Sequence, residues 1–302
     1  MDVVVFQSLW IGDSLSNIEQ LCLASFVANG AEMHLYSYGV VDNVPRGVIV
    51  CDANAIIPEG EIFRYKNGSV SAFSNLFRFT LLFKKGGIWV DSDVLCVSPL
   101  FKWITTTEYL FASESSYKDS DAVNPSSFII KMPKGCRAAK KAIRLQNHDK
   151  TLILSGELKW GSGPKTVRKI IAEFGLERFI VNWKVVSTCG WRDARSLTDP
   201  YYQGDKKHHG DRSLARTVNE ISPESRVIHL WNEMWRRQGL DKNTCFSHDS
   251  IIETFRRKYG YTVELSPENE SRYRLERKYQ LAVSKGKKDK AAAIRILIDK
   301  MV

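Results

Sequence analysis

The segment SVSAFSNLFRFTLLFKKGGIWVDSDVLCV, residues 69–97, begins with the pattern of an amphipathic helix. A stripe of mostly apolar side chains recurs at helical spacing and consists of Phe73, Leu76, Phe77, Thr80 and Leu81. Ser69 or Ser71 is the predicted N-cap, because a serine oxygen accepts a hydrogen bond from a free first-turn amide. Lys84 and Lys85 fall in the last turn, where positive charge suits the helix dipole. We therefore predict a helix that ends at this lysine pair.

A glycine pair and a short strand follow the helix. Gly86 and Gly87 are expected to stop it, because glycine takes the left-handed conformation at low cost. Residues 88–90, Ile-Trp-Val, are an apolar run that predicts a buried strand. Asp91 and Asp93 come next, and side chains two apart on an extended backbone point to one side. Two carboxylates at the carboxyl end of a strand suit a hard divalent cation, with two solvated aspartates as the alternative.

The order of these features resembles the glycosyltransferase family whose sugar-binding region contains the DXD motif. That family includes initiating α-mannosyltransferases, α-1,4-galactosyltransferases and sugar transferases of bacterial capsules, and it is distantly similar to the clostridial glucosylating toxins. The chain departs from the family pattern at Asn75, where the family usually has aspartate. The positions that match the pattern are Ala72, Ser74, Arg78, Phe79, Leu82, Gly86, Gly87, Ile88, Trp89, Asp91 and Asp93.

The resemblance implies an α/β fold of the GT-A type, with a Rossmann-like mixed sheet flanked by helices. It implies a retaining hexosyltransferase that moves a sugar from a nucleotide-sugar, with a UDP-sugar favoured, to a glycan or lipid-linked acceptor. The implied cofactor is Mn²⁺ or Mg²⁺, and the implied catalytic residues are Asp91, Asp93 and Arg78. Front-face attack and a covalent intermediate both stay open.

Donor-binding residues follow from the same resemblance. Arg78 is expected to bind sugar or phosphate oxygens with its planar fork, and Asn75 to meet a sugar hydroxyl. Residues 3–10 form an apolar strand that ends in Trp10, the expected platform for the base, with Leu9 supplying backbone contacts. A tryptophan that belongs to the core is the alternative.

A second informative stretch lies late in the chain, at residues 227–235, VIHLWNEMW. The family commonly ends its catalytic core with a His-x-Trp segment, which here is His229 and Trp231. His229 is expected to reach the metal held by Asp93, with a structural histidine as the alternative. Trp231 is expected either to close over the donor or to pack. Ser92, between the two aspartates, is counted among the donor-binding residues.

Alternating strands and helices predict an α/β sheet whose first strands are parallel. Such sheets bind ligands at the carboxyl ends of their strands, where Trp10 and the aspartate pair both lie. Gly163 and Pro164 are expected to open a helix, with Pro164 as its first residue. The other predicted elements are strands at 33–38, 47–51, 109–112 and 122–131, and helices at 16–29 and 136–147.

Composition sets further limits. A chain of 302 residues with 43% hydrophobic content predicts one large domain, or a domain with an appendage, and excludes global disorder. The net charge of +10 suits anionic partners. Basic residues are spread out and thickest in the tail, so no nucleic acid is expected. The cysteines are scattered and form no C-x-x-C pair, which predicts free thiols in a reducing compartment. The N-terminus shows no basic region followed by a long apolar run, so we expect a cytoplasmic protein.

The composition shifts near the C-terminus, where ten Lys and Arg stand against five Asp and Glu over residues 268–302. We divide the chain into a GT-A glycosyltransferase domain, 1–265, and a basic helical extension, 266–302. Helices are predicted at 272–283 and 290–301. This hairpin is expected either to pack on the domain or to dock an anionic membrane, which would place the protein peripherally on the inner membrane face.

Three other functions stay open at this stage. The chain could be a glycosyltransferase-like effector that modifies a protein. It could be a fold that binds a nucleotide-sugar without turnover, and Asn75 is the feature that favours this. The third is a basic nucleic-acid-binding protein, which requires basic residues clustered on one face.

Overall fold

The structure is a computed structural model, and besides isolated positions it describes residues 4–99, 106–115, 123–158, 161–186, 189–199, 224–246, 248–261 and 286–301. Residues 206–211, whose sequence KKHHGD predicts an exposed loop, lie outside these residues. So does most of the helix predicted at 272–283, although its described positions are helical.

A six-stranded mixed sheet is the main feature of the described residues. The strands are β1 (Val5–Leu9), β2 (Glu32–Ser37), β3 (Val48–Asp52), β4 (Gly87–Val90), β5 (Val94–Cys96), β6 (Leu110–Ser115), β7 (Val123–Met132) and β8 (Val227–His229). The spatial order in the six-stranded sheet is β3-β2-β1-β4-β7-β6. Strands β5 and β8 form a separate two-stranded sheet. Strands β1 to β4 run parallel, and β7 is antiparallel to both β4 and β6. The parallel first strands and the mixed sheet confirm the predicted α/β class.

Helices follow or flank these strands. The α-helices are α1 (Asn17–Ala28), α2 (Ser71–Lys85), α3 (Arg137–Ser155), α4 (Ser162–Phe174), α5 (Trp183–Val186), α6 (Asn232–Arg237), α7 (Ile251–Tyr259) and α8 (Lys288–Asp299). Short 3₁₀ helices occur at Ala53–Ala55, Glu59–Glu61, Glu177–Phe179 and Trp191–Leu197.

The helix predicted in the central segment is α2, and its predicted stop is confirmed, whereas its predicted N-cap is wrong because Val70 is the N-cap and makes no side-chain hydrogen bond there. Ser69 Oγ accepts a hydrogen bond from the Ser71 amide at 3.3 Å, although Ser69 lies just outside the helix. Gly86 ends α2 with a φ of 73°, which favours glycine. The backbone nitrogen of Lys134 also lies 2.7 Å from where a Cβ of residue 86 would stand, so a side chain is excluded there.

One predicted helix end and one predicted helix start are wrong. Helix α3 continues beyond the predicted end at residue 147, because Ile153 is buried in the core and the helix ends only at Gly156, in left-handed conformation. Helix α4 begins at Ser162, so Pro164 is its third residue and not its first. Proline is tolerated there because amides of the first turn have no partner inside the helix.

The core lies on both faces of the sheet and fixes β4 between them. Trp89 packs into the cluster that contains α2, with its ring 6.4 Å from that of Phe77. Ile88 and Val90 point the other way, into the cluster that contains Phe26 of α1. Alternate side chains of β4 are therefore buried on opposite faces, as expected for a strand inside an α/β sheet. This packing fixes the point at which Asp91 leaves the sheet.

The chain divides into two compact units. One comprises Met1–Gly190 and Ile221–Asn232, and the other comprises Trp191–Glu220 and Glu233–Val302. The sheet and all predicted site residues lie in the first unit. The domain division at residues 265 and 266 stays a prediction.

Within the second unit, a buried ion pair lies inside α7. Arg256 is fully buried and its Nη1 lies 2.7 Å from Glu253 Oε1. The same nitrogen donates to the Thr244 carbonyl at 2.8 Å, so the preceding loop is tied to the helix. Trp235 is fully buried with its ring 5.4 Å from that of Phe246.

Two further observations bear on sequence predictions. All six cysteines are free, as predicted, and three of them are buried. No helix among the described residues combines the length and apolar character needed to cross a bilayer.

Candidate metal and donor site

The two aspartates lie in a turn between β4 and β5, and the predicted extended backbone is wrong here. Strand β4 ends at Val90, and the Val94 amide donates to the Asp91 carbonyl at 3.2 Å, which closes the turn. The turn brings the carboxylate ligand atoms of Asp91 and Asp93 within 4.8 Å of each other. It also starts β5, the strand that pairs with β8.

The β5–β8 pair brings His229 to the aspartates. Val94 is opposite His229 in the antiparallel register, and the Leu230 amide donates to the Asp93 carbonyl at 2.9 Å. His229 Nε2 lies 3.4 Å from Asp93 Oδ1. The ligand atoms of Asp91, Asp93 and His229 all lie within 4.8 Å of one another. Two carboxylates and an imidazole therefore converge as the sequence predicted.

Asp93 is held by backbone as well as by the histidine. The Asn232 amide, at the start of α6, donates to Asp93 Oδ2 at 2.9 Å. The Asn232 side chain donates in turn to Glu19 Oε1 at 2.8 Å, which links this helix start to α1. Asp93 and His229 are both buried, so their positions are fixed by packing and hydrogen bonds together.

Asp91 is held from the other side by α2 and β4. Arg78 Nη2 lies 2.9 Å from Asp91 Oδ1, and Trp89 Nε1 donates to the same oxygen at 2.6 Å. The Asp91 amide donates to the Phe128 carbonyl at 2.8 Å. Because both side-chain bonds go to Oδ1, the carboxylate is fixed by one oxygen and keeps the other for a ligand.

Arg78 lies behind Asp91 and is almost completely buried. Only 3% of the residue is exposed, and its guanidinium lies over the Trp89 ring at 5.0 Å. Nη1 donates to the Ser127 carbonyl, and the buried Nε has no hydrogen-bond partner. In this arrangement Arg78 positions Asp91 directly, which the sequence did not predict.

Negative charge is crowded at this point. Burial raises the pKa of Asp91 although Arg78 opposes it, and the neighbouring Asp93 raises it further. Burial alone would lower the pKa of His229, but the carboxylates of Asp93, Asp91 and Glu114 together raise it. A bound cation would relieve the repulsion between the carboxylates.

The chemistry of the residues present fits a divalent metal ion. Buried His229 Nδ1 and buried Asn232 Oδ1 have no hydrogen-bond partner. Orphaned buried polar atoms are costly, and at a cluster of ligand groups they point to a missing partner. Carboxylates with one imidazole suit Mn²⁺, while an all-oxygen set would suit Mg²⁺ better.

Trp231 packs against the histidine in a strained backbone conformation. Its φ is 61°, in the left-handed region that is unusual for a bulky residue. Its ring lies 3.9 Å from that of His229, and its Nε1 donates to the Cys189 carbonyl at 2.8 Å. The Phe128 ring stacks on the His229 ring, with 4.5 Å between the two ring centroids. The Phe128 ring also lies 6.4 Å from the Trp231 ring, so the imidazole packs with both aromatic rings in one cluster.

Asn75 is buried against the start of α4. Its Nδ2 donates to Ser162 Oγ at 2.9 Å, and its Oδ1 lies 2.5 Å from where a Cβ of Gly163 would stand. Only glycine at position 163 allows this close approach of α4 to α2. The aspartate that the family usually has would accept from Ser162 and bury a charge here, whereas asparagine keeps this buried contact neutral.

Trp10 and Ser92 lie at the same edge of the sheet as the aspartates. Strands β1 and β4 are parallel with Gln7 opposite Trp89, so their carboxyl ends meet. Trp10 is partly exposed, and its Nε1 donates to the Ser14 carbonyl at 3.1 Å. Leu9 is buried at the end of β1, and Ser92 is partly exposed in the turn.

Glu114, on β6, is a further carboxyl group near this site, and the sequence pattern does not predict it. Ser126 Oγ donates to its carboxylate. Burial raises the pKa of Glu114, while Ser126, His229 and Arg168 lower it. The sequence carries no motif around this residue, and only the pairing of β6 with β7 reveals it.

Comparison with known families supports the sequence resemblance. Residues 55–147 match a family model described as "Capsular polysaccharide synthesis protein". The matched segment contains α2, β4 and the Asp91–Asp93 turn, which carry the predicted motif. The resemblance to sugar transferases of polysaccharide synthesis is thereby confirmed. Among curated proteins, no match was found.

Several solved structures are similar at low identity. PaToxG glycosyltransferase is 14% identical, with a TM-score of 0.40 over 86% of each chain. GlyE of Streptococcus pneumoniae TIGR4 is 10% identical, with a TM-score of 0.43 over 80% of this chain and 62% of GlyE. The WbbM bifunctional glycosyltransferase is 10% identical, with a TM-score of 0.49 over 90% of this chain and 51% of WbbM. These scores lie below 0.5, so the resemblance in architecture is distant.

Proposed function

We propose that this protein is a metal-dependent, retaining glycosyltransferase of the GT-A type. It would move a hexose from a nucleotide-sugar, with a UDP-sugar favoured, to a glycan or a lipid-linked acceptor. The observation that carries the proposal is the convergence of Asp91, Asp93 and His229 within 4.8 Å at the end of β4. The family match over the same segment supports it.

The three convergent residues would hold the metal ion, Mn²⁺ by preference. When bound, the ion supplies Lewis-acid neutralisation of the diphosphate leaving group. Arg78 fixes Asp91 through one oxygen, and the Asn232 amide fixes Asp93. These contacts would hold the metal-binding carboxylates in position before the donor binds, so little reorganisation is needed at the reacting centre.

The donor would lie along the edge where β1 and β4 end. Trp10, with its partly exposed ring, would stack on the base, and the Leu9 backbone and Ser92 would contact the nucleotide-sugar. Trp231 would line the site beside His229. Asn75 donates one amide hydrogen to Ser162, so its second amide hydrogen or its oxygen would meet a sugar hydroxyl.

Glu114 would stabilise the sugar during transfer. As the bond from the anomeric carbon to the diphosphate breaks, its electron pair leaves with the diphosphate and positive charge develops on the sugar. The carboxylate of Glu114 acts electrostatically on His229, so it belongs to the same local field. In its ionised form, which burial opposes, the carboxylate would favour that positive sugar over the neutral ground state.

Replacing Glu114 by glutamine is therefore expected to lower turnover by about 10- to 100-fold, because the shape is kept while the charge is lost. Donor binding should change little, so KM stays close to that of the wild type. Steady-state release of the nucleoside diphosphate measures both quantities. Glu157→Gln, on an exposed residue, provides the matched control. Turnover unchanged in Glu114→Gln would remove Glu114 from the mechanism.

The donor class is tested by a thermal-shift panel of nucleotide-sugars with and without Mn²⁺. A donor at about 100 times its Kd should add about 2.7 kcal/mol of stability, because it binds only the folded state. The expected result is a shift of several degrees with a UDP-sugar and Mn²⁺ together, and a smaller shift with either alone. The same mixture should release UDP slowly by hydrolysis.

The outcomes separate the competing functions. A shift without any release of UDP, even with glycan acceptors, would indicate a protein that binds a nucleotide-sugar without turnover. Transfer to polypeptide and not to glycans would indicate a protein-modifying effector. No shift with any nucleotide-sugar would refute the proposed function. The predicted cytoplasmic location stays a prediction that these assays do not address.

A further inference from the structure

Helix α8 has two apolar faces, and only one of them is covered. The inner face buries Ala291, Ile294 and Ile298 in a small cluster with Ala282. The cluster also includes Leu275 and Tyr279, so the helix is packed in its own right.

The opposite face leaves large apolar side chains in solvent. Ile296 is 57% exposed and Leu297 is 49% exposed. Ala292 and Ala293 are exposed one turn earlier on this side of the helix. Exposed isoleucine and leucine side by side on one helix face mark a surface that gains from being covered.

Basic residues surround this apolar face. Lys287, Lys288, Lys290 and Lys300 are all exposed. Arg295 is partly neutralised, because its Nε lies 3.0 Å from Asp299 Oδ1. Asp289 is the other acidic residue of the helix, so positive charge is in excess at both ends of the apolar face.

We propose that this outer face of α8, formed by Ala292, Ala293, Ile296 and Leu297 with the flanking lysines, docks on an anionic lipid bilayer. Apolar side chains at the centre enter the interface between headgroups and acyl chains, while lysines at the rim contact anionic headgroups. A protein partner would need a matching apolar groove, whereas a bilayer requires only an apolar strip with a basic rim. The packing of the inner face and membrane docking of the outer face are compatible, because they use opposite sides of one helix.

The experiment is co-sedimentation of the full chain with vesicles of phosphatidylcholine, with or without about one third phosphatidylserine. The wild type should bind the anionic vesicles, and binding should weaken as salt is raised. The double variant Ile296→Ser/Leu297→Ser should lower the partition coefficient by about tenfold or more. The triple variant Lys288→Gln/Lys290→Gln/Lys300→Gln should lower it comparably and remove the salt dependence.

Leu154→Ser is the matched control, because Leu154 is 62% exposed on a different helix, α3. It should bind as the wild type does. Circular dichroism melting checks that each variant folds. If the wild type fails to bind anionic vesicles, or if the two α8 variants bind as well as the control, the proposal is refuted. Equal binding of the wild type to both vesicle types would also refute it. So would a double variant that binds vesicles as the wild type does but has lost self-association, because the face would then bind a second copy of the chain. None of these outcomes depends on whether the protein transfers a sugar.

Discussion

Replacing Asp93 by asparagine is expected to weaken Mn²⁺ binding by about 100-fold or more and to reduce donor turnover by at least a similar factor. Asparagine keeps the size of the side chain, and its oxygen can still accept from the Asn232 amide that now lies 2.9 Å from Asp93 Oδ2. What is lost is one of the two carboxylate charges that face His229. Calorimetric titration with Mn²⁺ measures the affinity independently of activity.

The control for this substitution is Asp249→Asn. It makes the same change of charge on a carboxylate that is 54% exposed and lies beside His248 at the surface. Mn²⁺ affinity and turnover should both stay at the wild-type level. If Asp93→Asn binds Mn²⁺ as tightly as this control does, Asp93 is not a ligand and the proposed metal site fails. If it loses Mn²⁺ but keeps full turnover, the site binds metal without using it.

The part of the site that could be predicted from sequence is the part set by local chain order. The helical stripe around Phe73, the stop at Gly86 and the apolar run at Trp89 each depend on neighbours a few residues away. Local pattern therefore placed Asp91 and Asp93 together at the end of a buried strand. It missed the turn between them, because an aspartate, a serine and an aspartate are compatible with either a turn or a strand end.

The contribution of His229 needed the family resemblance, because its contact with Asp93 depends on β5 pairing with β8 far along the chain. No periodicity within one segment specifies a long-range pairing of three-residue strands. The same holds for Glu114, which is recognised only from its bond to Ser126 across a strand pair. The contact by which Arg78 holds Asp91 likewise depends on how α2 packs on β4, and the spacing of residues along the sequence does not specify it.

Asn75 illustrates a different limit of prediction from sequence. The departure from the family pattern is visible in the sequence, and the resemblance alone relates it to the donor sugar. The structure shows a second reason, since the amide donates to Ser162 at a contact that also requires Gly163. A residue that differs from its relatives can thus be explained by a neighbouring helix as well as by a substrate.

Replacing Arg78 by glutamine is expected to cost about 3–5 kcal/mol of folding stability, because it leaves the Asp91 carboxylate partly buried without its counter-charge. The guanidinium is 4% exposed and the carboxylate 24% exposed, so solvent can replace little of the lost interaction. Chemical denaturation measures the free energy of unfolding. The decisive variant is Arg78→Gln/Asp91→Asn, which removes both charges and should recover much of the loss. Two single losses that simply add in the double variant would show that the ion pair does not couple the residues.

The same pair gives a test that involves the metal. In Arg78→Gln the unpaired Asp91 charge should make added Mn²⁺ more stabilising than in the wild type, because the cation then supplies the missing positive charge. Arg78→Lys should fall between the two, since lysine keeps the charge but cannot reach both Asp91 and the Ser127 carbonyl with one planar fork. A wild-type response to Mn²⁺ in Arg78→Gln would separate the ion pair from the metal site. The arginine would then support the fold alone, and the catalytic role predicted for it from the sequence would be lost.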